Sequence, residues 1–405
     1  DVYKRQSEYI WNSIKDNKTV GIIGEDKEKG LTYVAEPIGV ICGVTPTTNP
    51  TSTTIFKAMI AIKTGNPIIF AFHPSAQESS KRAAEVVLEA AMKAGAPKDI
   101  IQWIEVPSIE ATKQLMNHKG IALVLATGGS GMVKSAYSTG KPALGVGPGN
   151  VPSYIEKTAH IKRAVNDIIG SKTFDNGMIC ASEQVVVIDK EIYKDVTNEF
   201  KAHQAYFVKK DELQRLENAI MNEQKTGIKP DIVGKSAVEI AELAGIPVPE
   251  NTKLIIAEIS GVGSDYPLSR EKLSPVLALV KAQSTKQAFQ ICEDTLHFGG
   301  LGHTAVIHTE DETLQKDFGL RMKACRVLVN TPSAVGGIGD MYNELIPSLT
   351  LGCGSYGRNS ISHNVSATDL LNIKTIAKRR NNTQIFKVPA QICLLYTSLS
   401  GLARQ

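Results

Sequence analysis

Short apolar runs alternate along the chain with longer stretches in which apolar residues recur every three or four positions. From Ala35 to about Ile155, the runs Ile38–Val44, Pro67–Phe72 (PIIFAF), Ala122–Ala126 (ALVLA) and Pro142–Val146 (PALGV) predict buried strands. Between them, Ser75–Ala94 has helical spacing, with Ser75 placed to cap its start and Gly95 to close its end. A second region, about Ala164 to Leu349, repeats the alternation. There Gln184–Ile188, Lys253–Ile256, Val276–Val280 and Val327–Val329 predict strands, and helices are expected around Ile192–His203 and Ser236–Gly245. Such alternation predicts an α/β fold of two lobes in series, each a doubly wound parallel sheet binding ligands at the carboxyl ends of its strands. Beyond Leu351 the pattern becomes irregular, and the basic stretch Lys374–Arg380 reads as a solvated face. No short-period repeat or low-complexity segment is present.

Composition narrows the class. A length of 405 residues suits two or three domains, and 42% hydrophobic with 21% charged residues excludes a disordered or fibrous chain. Lys+Arg 45 against Asp+Glu 41 gives a net charge of +4 without a concentrated basic patch, which argues against nucleic-acid binding. No apolar stretch approaches the ~20 residues needed to span a bilayer. The cysteines, at 42, 180, 292, 325, 353 and 393, form neither a disulfide framework nor CxxC metal knuckles. A reduced, cytoplasmic, multi-domain enzyme is expected.

Both ends read as foreign to the gene. Asp1-Val2-Tyr3-Lys4-Arg5-Gln6 can be encoded by GAT GTG TAT AAG AGA CAG, and Cys393-Leu394-Leu395-Tyr396-Thr397-Ser398 by TGT CTC TTA TAC ACA TCT. The second string is the reverse complement of most of the first, and both resemble a transposon end used to build sequencing libraries. Residues 1–6 and 393–405 are therefore expected to be non-native, adapter-derived ends.

Candidate chemistry lies in several short segments. Gly128-Gly129-Ser130-Gly131-Met132-Val133 lacks GxGxxG spacing, yet it follows a strand and opens a helix, as either a tight turn or a cofactor loop would. Pro46-Thr47-Thr48-Asn49-Pro50 is a rigid loop after a strand; it is a structural turn, or it offers the Asn49 amide to a carbonyl oxygen. Cys180 follows the polar turn Phe174-Asp175-Asn176-Gly177 and is a nucleophile candidate, with a buried inert thiol as the plainer reading. Cys42, Cys292, Cys325 and Cys353 read as packing cysteines. His303 follows a glycine-rich turn, as a hydrogen-bonded loop histidine or a general base. His297, His303 and His308 have no metal-ligand spacing. Glu271 precedes a proline turn, as a surface carboxylate or a ribose ligand.

In their order and spacing, PTTNP, ATGGSGMV, GVGPGN, FDNGMICASEQ, EKLSPVLAL, GGLGHT, NTPSAVGGIGD and LTLGCGS closely resemble the aldehyde dehydrogenase superfamily. Within it, the resemblance is to the acylating, CoA-dependent acetaldehyde dehydrogenase half of bacterial bifunctional aldehyde–alcohol dehydrogenases, and it runs from about Glu8 to Ala390. It implies the aldehyde dehydrogenase fold. Residues 7–163 would be a Rossmann-like NAD-binding lobe lacking the family's N-terminal segment, 164–350 an α/β catalytic lobe bearing the thiol, and 351–392 a return segment to the cofactor lobe with a part in oligomerisation. Cys180 would be the nucleophile, Asn49 would also face the oxyanion, and His303 would lie near the nicotinamide and thioester. Val44, Thr45, Pro46, Thr47, Thr48 and Asn49 would line the NAD site; Gly129 and Gly147 would approach the cofactor, Glu271 would hold the nicotinamide ribose, and Leu351 would contact the cofactor.

Hydrolytic relatives carry a water-activating Glu in an ELGGK motif, where this chain has Val146 in Gly145-Val146-Gly147-Pro148-Gly149-Asn150. That departure favours CoA over water as acyl acceptor. Phe72-His73-Pro74 stands where many relatives place a Lys against the adenosine ribose, which favours NAD. The resemblance therefore implies interconversion of acetaldehyde and acetyl-CoA in cytoplasmic, fermentative ethanol metabolism, with no metal in this portion. It also implies a homo-oligomer, and a helical filament when joined to an iron-dependent alcohol dehydrogenase half. A free-standing CoA-acylating enzyme for another short aldehyde, and a filament-assembly module with little activity of its own, are the alternatives.

Overall fold

The computed structural model describes residues 2–379. The 393–405 tail and the last part of the 351–392 segment lie outside the described residues. A helix over Val2–Ile14 leads into an antiparallel pair, β1 (Gly21–Asp26) and β2 (Leu31–Pro37). Ile10 and Ile14 of that helix are buried in the core of the first lobe.

The first lobe is a parallel sheet of β3 (Val40–Val44), β4 (Ile68–Ala71), β5 (Ile101–Trp103), β6 (Ile121–Thr127) and β7 (Ala143–Val146), in the order β5-β4-β3-β6-β7. Helices cover it, so its strands are continuous apolar runs rather than alternating ones. The chain winds outward from β3 to β5 and then returns to place β6 on the other side of β3. That reversal opens a crevice between the carboxyl ends of β3 and β6. The helix Pro50–Lys63 leaves β3 with Pro50 in its first turn, where proline's missing N–H costs no helical hydrogen bond. The expected helix after β4 spans Gln77–Lys93. Ser75 does not cap it: a short turn, Pro74–Ala76, intervenes, and His73 accepts the Ser75 N–H instead.

The second lobe is a parallel sheet of β8 (Val151–Ile155), β9 (Glu183–Asp189), β10 (Ala205–Phe207), β11 (Leu254–Glu258), β12 (Val276–Ala282), β13 (Gly302–His308) and β14 (Ala324–Val329). Their order is β10-β11-β12-β9-β8-β13-β14. This corrects the boundary expected at residue 163. The segment β8 pairs with β9 and β13, so the chain passes between lobes over Gly147–Asn150. Apolar content alone did not say which sheet Val151–Ile155 would join.

The irregular tail also has an order that periodicity missed. Val365, Ala367 and Leu370 pack into the core of the first lobe. β15 (Leu371–Ala377) then pairs antiparallel with β2, making a three-stranded sheet β1-β2-β15. Most of the stretch read as a solvated basic face is therefore a strand, although its side chains remain largely exposed. Asn66 joins the two parts, donating to Leu370 O at 2.8 Å while its Oδ1 accepts the Gly39 N–H at 3.0 Å.

Candidate active site

The crevice at the carboxyl ends of β3 and β6 widens into a cavity of about 510 Å³. Its walls include the Val44–Asn49 loop, Thr127–Gly129, Gly147, Pro148, Cys180 and Glu271. The loop starts on a firm anchor: the fully buried Lys57 donates to Val44 O at 2.6 Å and to Leu125 O at 2.9 Å. Burial holds the Lys57 ammonium down to about 7, partly offset by Cys42. Asn49 opens the helix Pro50–Lys63 without a side-chain cap bond, and its residue faces the cavity.

A dinucleotide fits these residues on two observations. A methyl group added at Gly129 or Gly147 would meet no atom within 4 Å, so backbone at both places faces open space. Thr45 Oγ1 is buried in the same wall without a hydrogen-bond partner. No Lys or Arg stands among the residues lining the cavity.

Cys180 sits on a tightly held turn. Asp175 and Asn176 take left-handed conformations (φ 51° and 48°), which Asp and Asn tolerate better than most residues. Asn176 donates to Gly234 O at 2.9 Å. Ser182, two residues past the thiol, donates through Oγ to Gly177 O at 3.2 Å and through its N–H to Ile179 O at 2.9 Å. Cys180 lines the cavity. Burial pushes its thiol up to about 12, the Glu271 carboxylate and Cys353 add to the rise, and Arg326 opposes it.

Glu271 lines the cavity rather than the outer surface, and its Oε1 accepts the Gly149 N–H at 3.2 Å. Burial raises its carboxyl to about 7, against the pull of that N–H and of Lys172 and Lys272. Gly149 is also pressed against two other candidates. A Cβ there would lie 2.1 Å from Cys180 O and 3.2 Å from the His303 ring, so only glycine fits. The segment therefore gathers Cys180, Glu271 and His303 around one residue.

His303 is fully buried, with Nδ1 against Thr304 Oγ1 at 3.0 Å and Nε2 without a partner. Burial and Arg326 hold it well below the usual imidazole range, so it is neutral near pH 7. It does not line the cavity; the ring lies behind Gly149. Leu351 is likewise buried behind the wall, and Leu349 lines the cavity in its place. Val44, Thr45, Pro46, Thr47, Thr48, Asn49, Gly129, Gly147, Cys180 and Glu271 all line it. Motif reading did not single out Met178, Leu273 or Ile109, which also do. Met178 and Leu273 lie inside motifs named for other residues, and Ile109 lies outside every named motif, with apolar character as its only signal. Cys42, Cys292 and Cys353 are buried, while Cys325 is half-buried. Among the described residues, no group of three His, Cys, Asp or Glu side chains is set to hold a metal ion, and no helix is long and apolar enough to cross a membrane.

Comparison with known proteins places the chain in a family. The family model described as "Aldehyde dehydrogenase family" matches residues 5–339. The chain is 56% identical over 391 residues to an aldehyde-alcohol dehydrogenase of Streptococcus pneumoniae, a match covering 95% of this chain and 44% of that protein. It is 51% identical over 390 residues to the bifunctional aldehyde-alcohol dehydrogenase AdhE of Escherichia coli, again with 95% and 44% covered. This chain thus spans less than half the length of these curated relatives. Among solved structures, an acetylating aldehyde dehydrogenase from Geobacillus thermoglucosidasius superposes with a TM-score of 0.92 at 47% identity, covering 94% of this chain and 84% of that one. The sheet order, the switch-point cavity with its cysteine and these matches together identify the chain as a member of the aldehyde dehydrogenase family.

Proposed function

We propose that this chain is the NAD-dependent, CoA-acylating acetaldehyde dehydrogenase portion of a cytoplasmic bifunctional enzyme of ethanol fermentation. The observation that carries this reading is one shared cavity. Cys180, Asn49 and Glu271 face the crevice that fits a dinucleotide, and Val146 stands there instead of a water-activating carboxylate. The names of the relatives support the substrates: an acetylating aldehyde dehydrogenase, and a Rhodopseudomonas palustris propionaldehyde dehydrogenase with bound propionyl-CoA at 27% identity and TM-score 0.79.

In this reading, the Cys180 thiolate adds to the aldehyde carbon and forms a thiohemiacetal. The Asn49 amide and a backbone N–H near Cys180 stabilise the oxyanion. When bound, the dinucleotide would supply the hydride acceptor, and Cys180 would be left as a thioester. No carboxylate at position 146 activates water, so the thioester persists until the CoA thiolate displaces Cys180 and leaves as acyl-CoA. His303, neutral with Nε2 unpartnered, is assigned the CoA thiol proton; because the ring lies behind Gly149, that assignment requires the segment to move. Glu271 would hold the nicotinamide ribose, and the absence of cations from the cavity lining favours NAD over a 2′-phosphorylated cofactor. The joined alcohol dehydrogenase half, a homo-oligomer and a helical filament belong to the same proposal.

The test is NADH formation from acetaldehyde and NAD⁺ by the 405-residue chain. Activity that depends on CoA, is lost in Cys180→Ala and leaves an acyl group on Cys180 when CoA is withheld is the expected outcome. Acyl transfer retained by Cys180→Ala would defeat the assignment.

A further inference from the structure

Arg326 stands in the middle of β14, in an otherwise mostly apolar strand, and is only 3% exposed. Its guanidinium donates to His303 O at 2.7 Å, Gly352 O at 2.8 Å, Thr304 Oγ1 at 3.3 Å, Asn364 Oδ1 at 3.3 Å and Leu351 O at 3.4 Å. Every one of these acceptors is neutral. Among the described residues, no ion pair to a carboxylate is formed by this side chain. A buried cation without a counter-ion is costly, and hydrogen bonds to neutral acceptors offset only part of that cost. The titratable groups facing it are Cys353, Cys325, Cys180 and His303. Around Cys180, Glu271 and Cys353 oppose ionisation, and Arg326 is the charged side chain that favours it.

We propose that Arg326 is a positioning residue for the thioester chemistry. Its planar fork fastens the strand bearing His303 to the Leu351–Cys353 turn, and its charge biases Cys180 towards thiolate. The inference rests on Cys180 being the nucleophile. Lysine cannot reproduce the fork, because its ammonium is a point charge without a planar array of five donors. The two halves of the role therefore separate in two variants.

The experiment measures iodoacetamide labelling of Cys180, located by peptide mass spectrometry, across a pH series, beside steady-state NADH formation. Arg326→Gln removes the charge. Its Cys180 labelling at about pH 8 should slow roughly tenfold, because less of the thiol is ionised once the guanidinium is gone. Arg326→Lys keeps the charge and loses the fork. Its labelling should stay within about twofold of the parent, while kcat falls at least about tenfold with little change in the aldehyde KM. An unchanged labelling profile in folded Arg326→Gln, or parental kcat in Arg326→Lys, overturns the proposal. Should Arg326→Gln not fold, Arg326→Lys alone decides. If the parent forms no NADH but its labelling still responds to Arg326→Gln, the functional reading fails and the electrostatic role stands.

Discussion

Valine at position 146 is a small departure with a large chemical consequence. It is buried at the end of β7 and lines the same cavity as Cys180. Val146→Glu is expected to raise CoA-independent NADH formation relative to the CoA-dependent rate, by about tenfold or more if general-base catalysis of hydrolysis contributes its usual share. An unchanged ratio would mean that water is kept out by shape rather than by the missing base. Single residues were legible in the chain wherever a motif fixed both their chemistry and their neighbours. Cys180, Asn49 and Glu271 line the cavity. His303 and Leu351 do not, because spacing places a residue on a strand or turn without saying which side meets the ligand. Arg326 carried a visible signal, a lone cation within ACRVLV, but the burial that gives it meaning exists only once β14 is packed beside β13.

The join between β3, β6 and the helix Pro50–Lys63 depends on Lys57, whose ammonium bridges two carbonyls with no carboxylate partner. Its folded-state value of about 7 lies below the unfolded 10.5, so its stabilising contribution is complete only above about 10.5 and is lost as pH falls towards 7. Lys57→Met removes that slope. Relative to the parent, the variant should gain about 1.4 kcal/mol per pH unit as pH is lowered from about 10 to 7. Urea unfolding at several pH values would measure this, and a stability difference that does not vary with pH would rule it out. At this scale the parallel strands were readable because burial on both faces makes them unbroken apolar runs, as in β9, where all residues are buried. β1, β2 and β15 were not. Apart from the buried Ala35, their side chains are half-exposed or exposed, and β15 pairs with β2 from the far end of the described chain. No local pattern encodes such a long-range antiparallel pairing.

At the scale of the whole molecule, β15 is an edge strand among the described residues, and its Ile373 and Ile376 are 48% and 55% exposed. Natural edge strands usually blunt such surfaces, so these side chains support the proposed self-association. The double substitution Ile373→Lys and Ile376→Lys should lower the mass measured by light scattering while leaving the circular dichroism unchanged. An unaltered mass would place the contact elsewhere. A last consequence follows from the crossing at Gly147–Asn150. These four residues are one covalent bridge between the two sheets, and one of them, Gly149, is the point where Cys180, Glu271 and His303 meet. A ligand that shifts Gly149 would move its N–H under the Glu271 carboxylate and so disturb the surroundings of Cys180 without touching the sulfur.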